Sequence, residues 1–337
     1  MKMSNKVINA LLMKNEDIGV EVEMGRISRG TACGITSKYF HDKYDVPERV
    51  VHEGSHLDNW WCYGKPDHNG NPRKWNFVSD GSASGVYGSI TCEMVTPILL
   101  YDDIEDLQAI IRLLRHAGAK SGAHYNAGVH IHIGAKFDRE GGCNAKSIRN
   151  LVNLIASHEP LICQAVAVTP SRQSDWARFV EPEFLRKINK NHPKTKADLE
   201  RAWYGFNGSH PHYDRSRYHL LNLHAIWDKG TIEFRCFEFH DNLHAGELKA
   251  WIQLCMAMVS YSKIIAYASP KPLDYSENPK FFMNSWLKNM GLMGDEFKTC
   301  RKMLMKHLSG DPACKSPRPR VADGDMDDYD IDLLTNE

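Results

Sequence analysis

The sequence lacks an excess of charge of either sign, a paired set of cysteines and a long apolar run. Its 42 Lys and Arg residues balance 42 Asp and Glu residues, so no global field draws it to nucleic acid or to a membrane surface. No apolar run approaches the roughly 20 residues that a transmembrane helix needs. We therefore expect a pocket-bound, small-molecule or peptide substrate and no direct nucleic-acid or membrane partner.

The nine cysteines are scattered, odd in number and never stand as a C-x-x-C pair, which favours reduced thiols in a cytosolic protein. Residues 1–15 hold only a short apolar piece without a small-residue cleavage site behind it, so we expect no export and a cytoplasmic location. A homo-oligomer is left open.

With 337 residues, of which 42% are hydrophobic, the chain is long enough to bury a large core without a metal or disulfide staple. We predict one catalytic domain over residues 1–315, with helical elaborations at about 144–214 and 245–308. The segment 316–337 is acidic after Arg320 and is expected to be a disordered tail.

Periodicity predicts an α+β chain. Strands are expected at 17–24, 75–78, 89–95 and 129–133, and an antiparallel pair at 219–224 and 231–239, joined by a tight turn at Lys229-Gly230. Helices are expected at 102–117, 144–168 with a kink at Pro160, 182–189, 196–203, 245–267, 280–288 and 295–308. The segment 25–73 has weak periodicity and is expected to be an active-site loop region with short strands at most.

Two of the strands alternate apolar residues with groups that bind metals. On the first, Glu21 and Glu23 project from one face about 7 Å apart, as hard divalent cations require, although solvated strand faces carry the same pattern. On the strand at 129–133, His130 and His132 point away from an apolar face. A sheet surface with incidental histidines would look the same.

Two further strands carry charged groups. Glu233 and Arg235, with Phe237, are expected on one face of the last strand, as a metal ligand and a phosphate-binding fork or as a simple ion pair. Glu93 lies within a strongly apolar strand, where a carboxylate is rarely buried unless it is paired or metal-bound. Four strands with such faces together predict a polar cleft, and a Glu and His ligand set without Cys suits Mg²⁺ or Mn²⁺.

The order and wording of these motifs resemble the amidoligase family of the carboxylate–amine ligase superfamily, which includes glutamine synthetase and glutamate–cysteine ligase. The likeness covers about residues 17–270. The motifs that carry it are Gly19–Glu23, Asp80–Ser82, Glu93–Pro97, Gly128–His132, Arg217–Tyr218, Leu221–Leu223 and Thr231–Arg235.

The resemblance implies a glutamine synthetase-like fold, a curved antiparallel sheet backed by helices, whose concave face binds ATP and Mg²⁺ or Mn²⁺. ATP would phosphorylate a substrate carboxylate, and an amine would attack the acyl phosphate. The implied metal ligands are Glu21, Glu23 and Glu93 at a first site, and His130 with Glu233 at a second. The implied ATP-binding residues are His132, Arg235, Ser82 and Arg217, and the implied catalytic residues are Arg235, Glu93 and Asp80.

Other readings stay open. Arg172, Arg178, Arg215 and Arg217 are candidates for a clamp on the substrate carboxylate, or solvated surface arginines. The chain has Asn126 to Gly128 where amidoligases commonly carry a Cys, so the subfamily is not fixed. A guanidino kinase-like phosphotransferase, an inactive binding protein with the same fold and a metal-dependent hydrolase are the alternatives.

Overall fold

The computed structural model describes residues 4–54, 58–79, 91–240 and 242–316. Within these ranges the chain forms an eight-stranded antiparallel sheet and twelve α-helices, which confirms the α+β class. The strands are β1 (Ile18–Gly25), β2 (Val50–Glu53), β3 (Asn59–Gly64), β4 (Arg73–Val78), β5 (Thr91–Val95), β6 (Val129–Gly134), β7 (Leu221–Asn222) and β8 (Thr231–Phe237).

The helices connect the strands and extend the chain beyond the sheet. They are α1 (Asn5–Leu12), α2 (Arg29–Tyr44), α3 (Ile104–His116), α4 (Ala145–Ala156), α5 (Glu159–Ala165), α6 (Pro170–Asp175), α7 (Pro182–Asn191), α8 (Lys196–Tyr204), α9 (Ala225–Asp228), α10 (Ala245–Ile264), α11 (Pro279–Asn289) and α12 (Lys298–Met305). Short 3-10 helices lie at Met13–Asn15, Tyr101–Asp103, Ala123–Tyr125, Arg215–Arg217 and Asp295–Phe297.

The first strand of the chain lies inside the sheet. The strand order is β2-β3-β4-β5-β1-β6-β8-β7, and every neighbouring pair is antiparallel. β1 therefore has β5 on one side and β6 on the other. This topology brings the acidic residues of β1 beside strands that follow them much later in the chain.

One face of the central sheet is apolar. Val20 of β1 pairs with Ile131 of β6, and Val22 pairs with Val129. These four side chains are at most 1% exposed. Helix α10 packs against β6 and against α3 and α4. Because burial of each such side chain contributes about 1.5–3 kcal/mol, this face anchors the fold and leaves the opposite face for polar groups.

Strand β8 contains one extra residue, which changes the face of the sheet on which the side chains at its C-terminal end lie. Between residues 129 and 131 of β6, the partner positions on β8 move from 237 to 234, so β8 is one residue longer over this stretch. Such a bulge interrupts the alternation of side chains. The Phe237 ring stacks on Trp251 of α10 with 5.1 Å between centroids. The expectation that Phe237 shares a face with Glu233 and Arg235 is therefore wrong.

The segment 25–73 is not a loop region, because it contains the 16-residue helix α2 as well as β2 and β3. Ser28 begins α2 by accepting a hydrogen bond from the backbone N–H of Thr31. The buried side of the helix has few large apolar residues, so the sequence shows no stripe at helical spacing. That side consists of Ala32, Cys33, Thr36, Ser37 and Phe40.

Two connections also differ from the expectation. The helix expected over 144–168 is divided into α4 and α5, because Pro160 falls in the first turn of α5, where its missing N–H costs no helical hydrogen bond. The tight turn expected before β8 contains the short helix α9, followed by Gly230 at a φ of +71°. The remaining expected helices are confirmed to within a few residues at their ends.

The described parts of the chain contain no helix with both the length and the apolar character needed to cross a membrane. The single domain over 1–315 and the separate tail over 316–337 stay predictions. Residues 317–337, and the candidate site residues Asp80 and Ser82, lie outside the described residues.

Candidate active site

Strand pairing places the candidate ligands side by side on the face opposite the apolar core. Glu23 of β1 is directly opposite Glu93 of β5, and Glu21 is directly opposite His130 of β6. One strand further, His132 is opposite Glu233 of β8. Directly opposed residues of antiparallel strands have Cβ atoms about 4.5–5.5 Å apart. Register alone therefore gathers these six side chains, which come from four strands.

Glu21 is the centre of the cluster. Its Oε2 lies 3.1 Å from His130 Nδ1, and its Oε1 lies 3.4 Å from His132 Nε2 and 2.9 Å from Lys229 Nζ. Burial alone raises the pKa of the Glu21 carboxyl, but His132, His130 and Lys229 lower it well below the usual 4.5. Glu21 is thus held as an anion with basic groups on both of its oxygens.

Glu233 is the most buried acid of the cluster, with 2% exposure. Arg235 Nη1 lies 2.5 Å from its Oε1, and the Asn222 side-chain amide donates to its Oε2. Its Oε1 also lies 3.8 Å from His132 Nε2. Burial raises the pKa of this carboxyl, but the charges of Arg235, His132 and His130 lower it to about 2. Glu233 is therefore also an anion at neutral pH.

Glu23 is fixed by the backbone just before β6, the strand that carries His130 and His132. Its Oε2 accepts a hydrogen bond of 2.6 Å from the backbone N–H of Gly128, and its Oε1 lies 3.7 Å from His130 Nε2. Burial, and then the charge of Arg235, lowers the pKa of His130. Neutral imidazole is the form that binds metal ions, so this environment suits a ligand.

The ligand atoms form two groups that share one residue. In the first group, Glu21, Glu93 and His130 each offer an atom within 4.8 Å of the others, and in the second, Glu21, His132 and Glu233 do so. His130 Nδ1 also lies 3.7 Å from Glu233 Oε1, so the pairing of His130 with Glu233 that the resemblance implied stays a prediction. His132 Nε2 is buried and makes no hydrogen bond among the described residues. A divalent cation would satisfy it, so the residues fit a two-metal site.

Arginine side chains and aromatic rings line the cleft in front of this cluster. The cleft has a volume of about 620 Å³. The guanidinium groups of Arg217 and Arg235 each lie 5.9 Å from the Tyr218 ring, and Arg217 also lies 5.4 Å from the Tyr213 ring. The Nε atoms of both arginines are buried without a hydrogen bond among the described residues. Both arginines line the cleft, which therefore presents two cationic side chains to an anionic ligand.

A second, basic cavity of about 410 Å³ adjoins the first. His132 and four cationic side chains line it: Lys136, Arg139, Lys196 and Lys229. Lys229 also lines the first cleft, so this residue lies where the two cavities approach each other. Burial lowers the pKa of the Lys229 ammonium, but Glu21 and Glu233 raise it above its ordinary value. An anion that reached from one cavity to the other would meet this cation.

Arg172 supports the cluster from behind. Only 6% exposed, it donates from Nε to the carbonyl of Arg235 at 3.2 Å and from Nη2 to His130 Nε2 at 3.3 Å. A Cβ on Gly128 would lie 1.7 Å from Arg172 Nη2, so only glycine leaves room for this guanidinium. The prediction that Arg172 clamps substrate is not supported by its position, because its guanidinium is directed at protein atoms.

The remaining predicted arginines differ in position. Arg178 is exposed and donates to the carbonyls of Tyr218 and Arg215, so it joins two loop segments. Of the four clamp candidates, Arg217 lines the cleft.

Sequence reasoning missed several residues of the site. Lys229 was placed in a turn, and only its position between Asp228 and Gly230, just before the Glu233 strand, hinted at the cleft. Trp176, which also lines the cleft, lies in a segment without periodicity. Asn222 belongs to a recognised motif, but its contact with Glu233 depends on strand pairing.

The chain is similar to a solved structure and to a protein family. The crystal structure of a bifunctional glutathione synthetase from Pasteurella multocida matches with a TM-score of 0.45 at 11% sequence identity, over 90% of this chain and 50% of that one. The chain thus spans about half the length of that enzyme. No curated protein sequence matches it. A family model described as "Putative amidoligase enzyme" matches residues 14–259, which is most of the chain and includes every described candidate site residue. The protein therefore belongs to the amidoligase family.

Proposed function

We propose that the protein is an ATP- and Mg²⁺- or Mn²⁺-dependent carboxylate–amine ligase that forms an amide or peptide-like bond through an acyl phosphate. Membership of the amidoligase family supports the reaction class. The observation that carries the proposal is the position of Glu21, which belongs to both groups of ligand atoms. A carboxylate shared between two cation sites is suited to phosphoryl transfer, in which metal ions bridge and neutralise phosphate oxygens.

The residues that would hold the metal ions are the two groups around Glu21. Glu93 and His130 complete one, and His132 and Glu233 complete the other. When bound, the ions offset the charge of the phosphates and of the attacking carboxylate. Glu23 is held beside the first group by the N–H of Gly128 and is available as a further ligand.

The basic side chains of the cleft would bind the anionic groups of the two substrates. The phosphates and the substrate carboxylate are both anions, so they repel each other until cations lie between them. Arg235 and Arg217 line the cleft, and an arginine does not lose its proton in this range of pH. We assign Arg235 to the transferring phosphoryl group and Arg217 to ATP or substrate oxygens.

The reaction proceeds in two steps. A substrate carboxylate oxygen attacks the γ-phosphorus, the bond from that phosphorus to the bridging oxygen breaks, and ADP leaves with the electron pair. The amine then attacks the carbonyl carbon, the bond to the phosphate oxygen breaks, and phosphate and a proton are released. The chain orients both substrates and excludes water from the acyl phosphate in the first cleft.

Hydroxylamine provides a test that needs no knowledge of the natural amine. The purified protein is incubated with ATP, MgCl₂, hydroxylamine and a panel of amino acids and dipeptides as the carboxylate. The proposal predicts ADP and a hydroxamate in equal amounts for at least one carboxylate, measured by coupled ADP assay and mass spectrometry. Neither product should form without Mg²⁺ or Mn²⁺.

The same assay separates the alternatives. A stable phosphorylated product without hydroxamate would indicate a phosphotransferase. Cleavage of a panel dipeptide without ATP would indicate a metal-dependent hydrolase. Absence of ATP binding by calorimetry, in the presence of Mg²⁺, would indicate a binding protein and overturn the proposal.

A further inference from the structure

The backbone of Lys229 is fixed at the end of a helix. Helix α9 ends immediately before it, and its own N–H donates to the carbonyl of Ala225 at 2.9 Å. Gly230 then takes a positive φ and leads into β8. The Lys229 side chain keeps 35% of its surface exposed, although its ammonium contacts the carboxylate at the centre of the cluster. With its backbone fixed and about a third of its side chain in contact with solvent, Lys229 has room beside it for its charged end to take another rotamer.

The ammonium occupies a position that an incoming cation requires. Lys229 Nζ lies 2.9 Å from Glu21 Oε1, and the same oxygen lies 3.4 Å from His132 Nε2. Glu21 belongs to both ligand groups, so an ion at either of them draws on this carboxylate. A divalent cation and the ammonium would compete for it, because like charges a few ångströms apart repel.

Basic side chains already lie beside the carboxylates of the cluster. Lys229 pairs with Glu21, Arg235 pairs with Glu233, and the charges of Glu23 and Glu238 act on Arg172. Metal ions alone would add uncompensated positive charge beside these side chains. Metal ions that arrive with the phosphates of ATP would not, because the positive and negative charges then enter together.

We infer that Lys229 is a movable cation that holds Glu21 in the metal-free protein and is transferred to the phosphates of ATP when metal ions bind. The inference rests on the proposed function. Two observations support the transfer: Lys229 lines both cavities, and the second cavity is also lined by Arg139, Lys196 and Lys136, the last of which pairs with Asp17. Once released from Glu21, the ammonium contacts a phosphate oxygen of ATP, which makes Lys229 a catalytic residue that forms no covalent bond with a substrate.

Removal of the Lys229 charge then has two opposite effects. Mn²⁺ alone binds more tightly, because it no longer displaces an ammonium from Glu21. The nucleotide binds less tightly, because it loses a cationic partner. A lysine with only a structural role would not give this pair of effects, since damage to the site weakens the binding of both Mn²⁺ and the nucleotide.

The experiment uses the full chain and three variants. Lys229→Met removes the charge but keeps the stem, and Lys229→Arg keeps the charge. Lys38→Met is the matched control, because Lys38 pairs with Asp42 on the exposed surface of α2. Mn²⁺ binding is measured by electron paramagnetic resonance, binding of the analogue adenylyl imidodiphosphate with Mn²⁺ by calorimetry, and folding by thermal melting.

We expect Lys229→Met to bind Mn²⁺ alone at least about fivefold more tightly and Mn²⁺ with the analogue at least about fivefold more weakly than wild type. Lys229→Arg and Lys38→Met should stay close to wild type in both. Unchanged or weaker Mn²⁺ binding in Lys229→Met, or unchanged binding of the analogue, overturns the inference while the proposed function stands. If the wild type binds neither Mn²⁺ nor the analogue, the proposed function fails as well.

Discussion

The two faces of strand β6 differ in polarity. On one side Val129, Ile131 and Ile133 have no exposed surface and pack into the helical core. On the other, His130 and His132 meet carboxylates of both neighbouring strands. The apolar side stabilises the sheet by burial, and the polar side uses that rigidity to hold charges close together. One short strand thus supplies both the stability and the chemistry.

Buried acids show the same contrast. Glu233, on the polar face, has a pKa lowered to about 2 because charged partners outweigh its burial. Glu159, at the start of α5 among the helices, is 4% exposed and accepts a hydrogen bond from the N–H of Val180. Burial raises the pKa of its carboxyl to about 7. The site therefore keeps its acid charged, whereas the helical layer favours a neutral one.

The largest effect on the fold is expected from the apolar face. Ile131→Ala should lower the free energy of unfolding by about 2–5 kcal/mol, because it removes buried surface and leaves a cavity. Denaturant unfolding with and without Mn²⁺ measures this loss of stability. At temperatures where the variant stays folded, the number of Mn²⁺ ions bound should equal that of wild type. Loss of Mn²⁺ binding in the folded variant would mean that the two faces are not separable.

The second effect is a change in the free energy of unfolding with pH, and it is due to Glu159. The folded-state pKa is raised from 4.5 to about 7, so the native state holds a proton that the unfolded state releases. Stability due to this group therefore falls as pH rises from about 4.5 to about 7 and is constant above that range. Glu159→Gln should be roughly 3 kcal/mol more stable than wild type at pH 8 and nearly equal to it at pH 4.5.

Urea unfolding of both proteins at several pH values measures the difference. The neighbouring His158, whose pKa is lowered to about 4 by burial, titrates in both proteins and cancels in the comparison. A difference in stability that does not change between pH 4.5 and pH 8 would contradict a neutral buried Glu159.

The smallest effect on stability is expected at Gly128, the residue just before β6. Gly128→Ala places a methyl group against the Arg172 guanidinium and should cost about 1–3 kcal/mol of stability by overpacking. Displacement of Arg172 also frees His130 Nε2, so Mn²⁺ binding at the group with Glu93 should change more than binding at the group with Glu233. Equal changes at both groups, seen by Mn²⁺ titration, would mean that Arg172 does not position His130.

The polar face was predictable because period-two alternation needs no knowledge of tertiary structure. Glu21, Glu23, His130, His132 and Glu233 all follow from that pattern and from the family resemblance. Which of these side chains lie close enough to share an ion did not follow, because it depends on strand register, and sequence spacing does not give register between distant strands.

Other features were hidden for different physical reasons. Helix α2 buries mostly small and polar residues, so its pattern carries no hydrophobic period. The bulge that turns Phe237 towards α10 is a property of two paired strands. Lys229 and Arg172 reach the site by side-chain length from a helix end and from α6, and neither position has a sequence signal of its own.

Counting bound Mn²⁺ ions in wild type, Glu21→Gln and Glu93→Gln tests the shared carboxylate most directly. Electron paramagnetic resonance should find two interacting ions per wild-type chain in the presence of adenylyl imidodiphosphate, one in Glu93→Gln, and none held tightly in Glu21→Gln, because Glu21 belongs to both ligand groups. Thermal melting would verify that each variant is folded. Two tightly bound ions in folded Glu21→Gln would contradict the account.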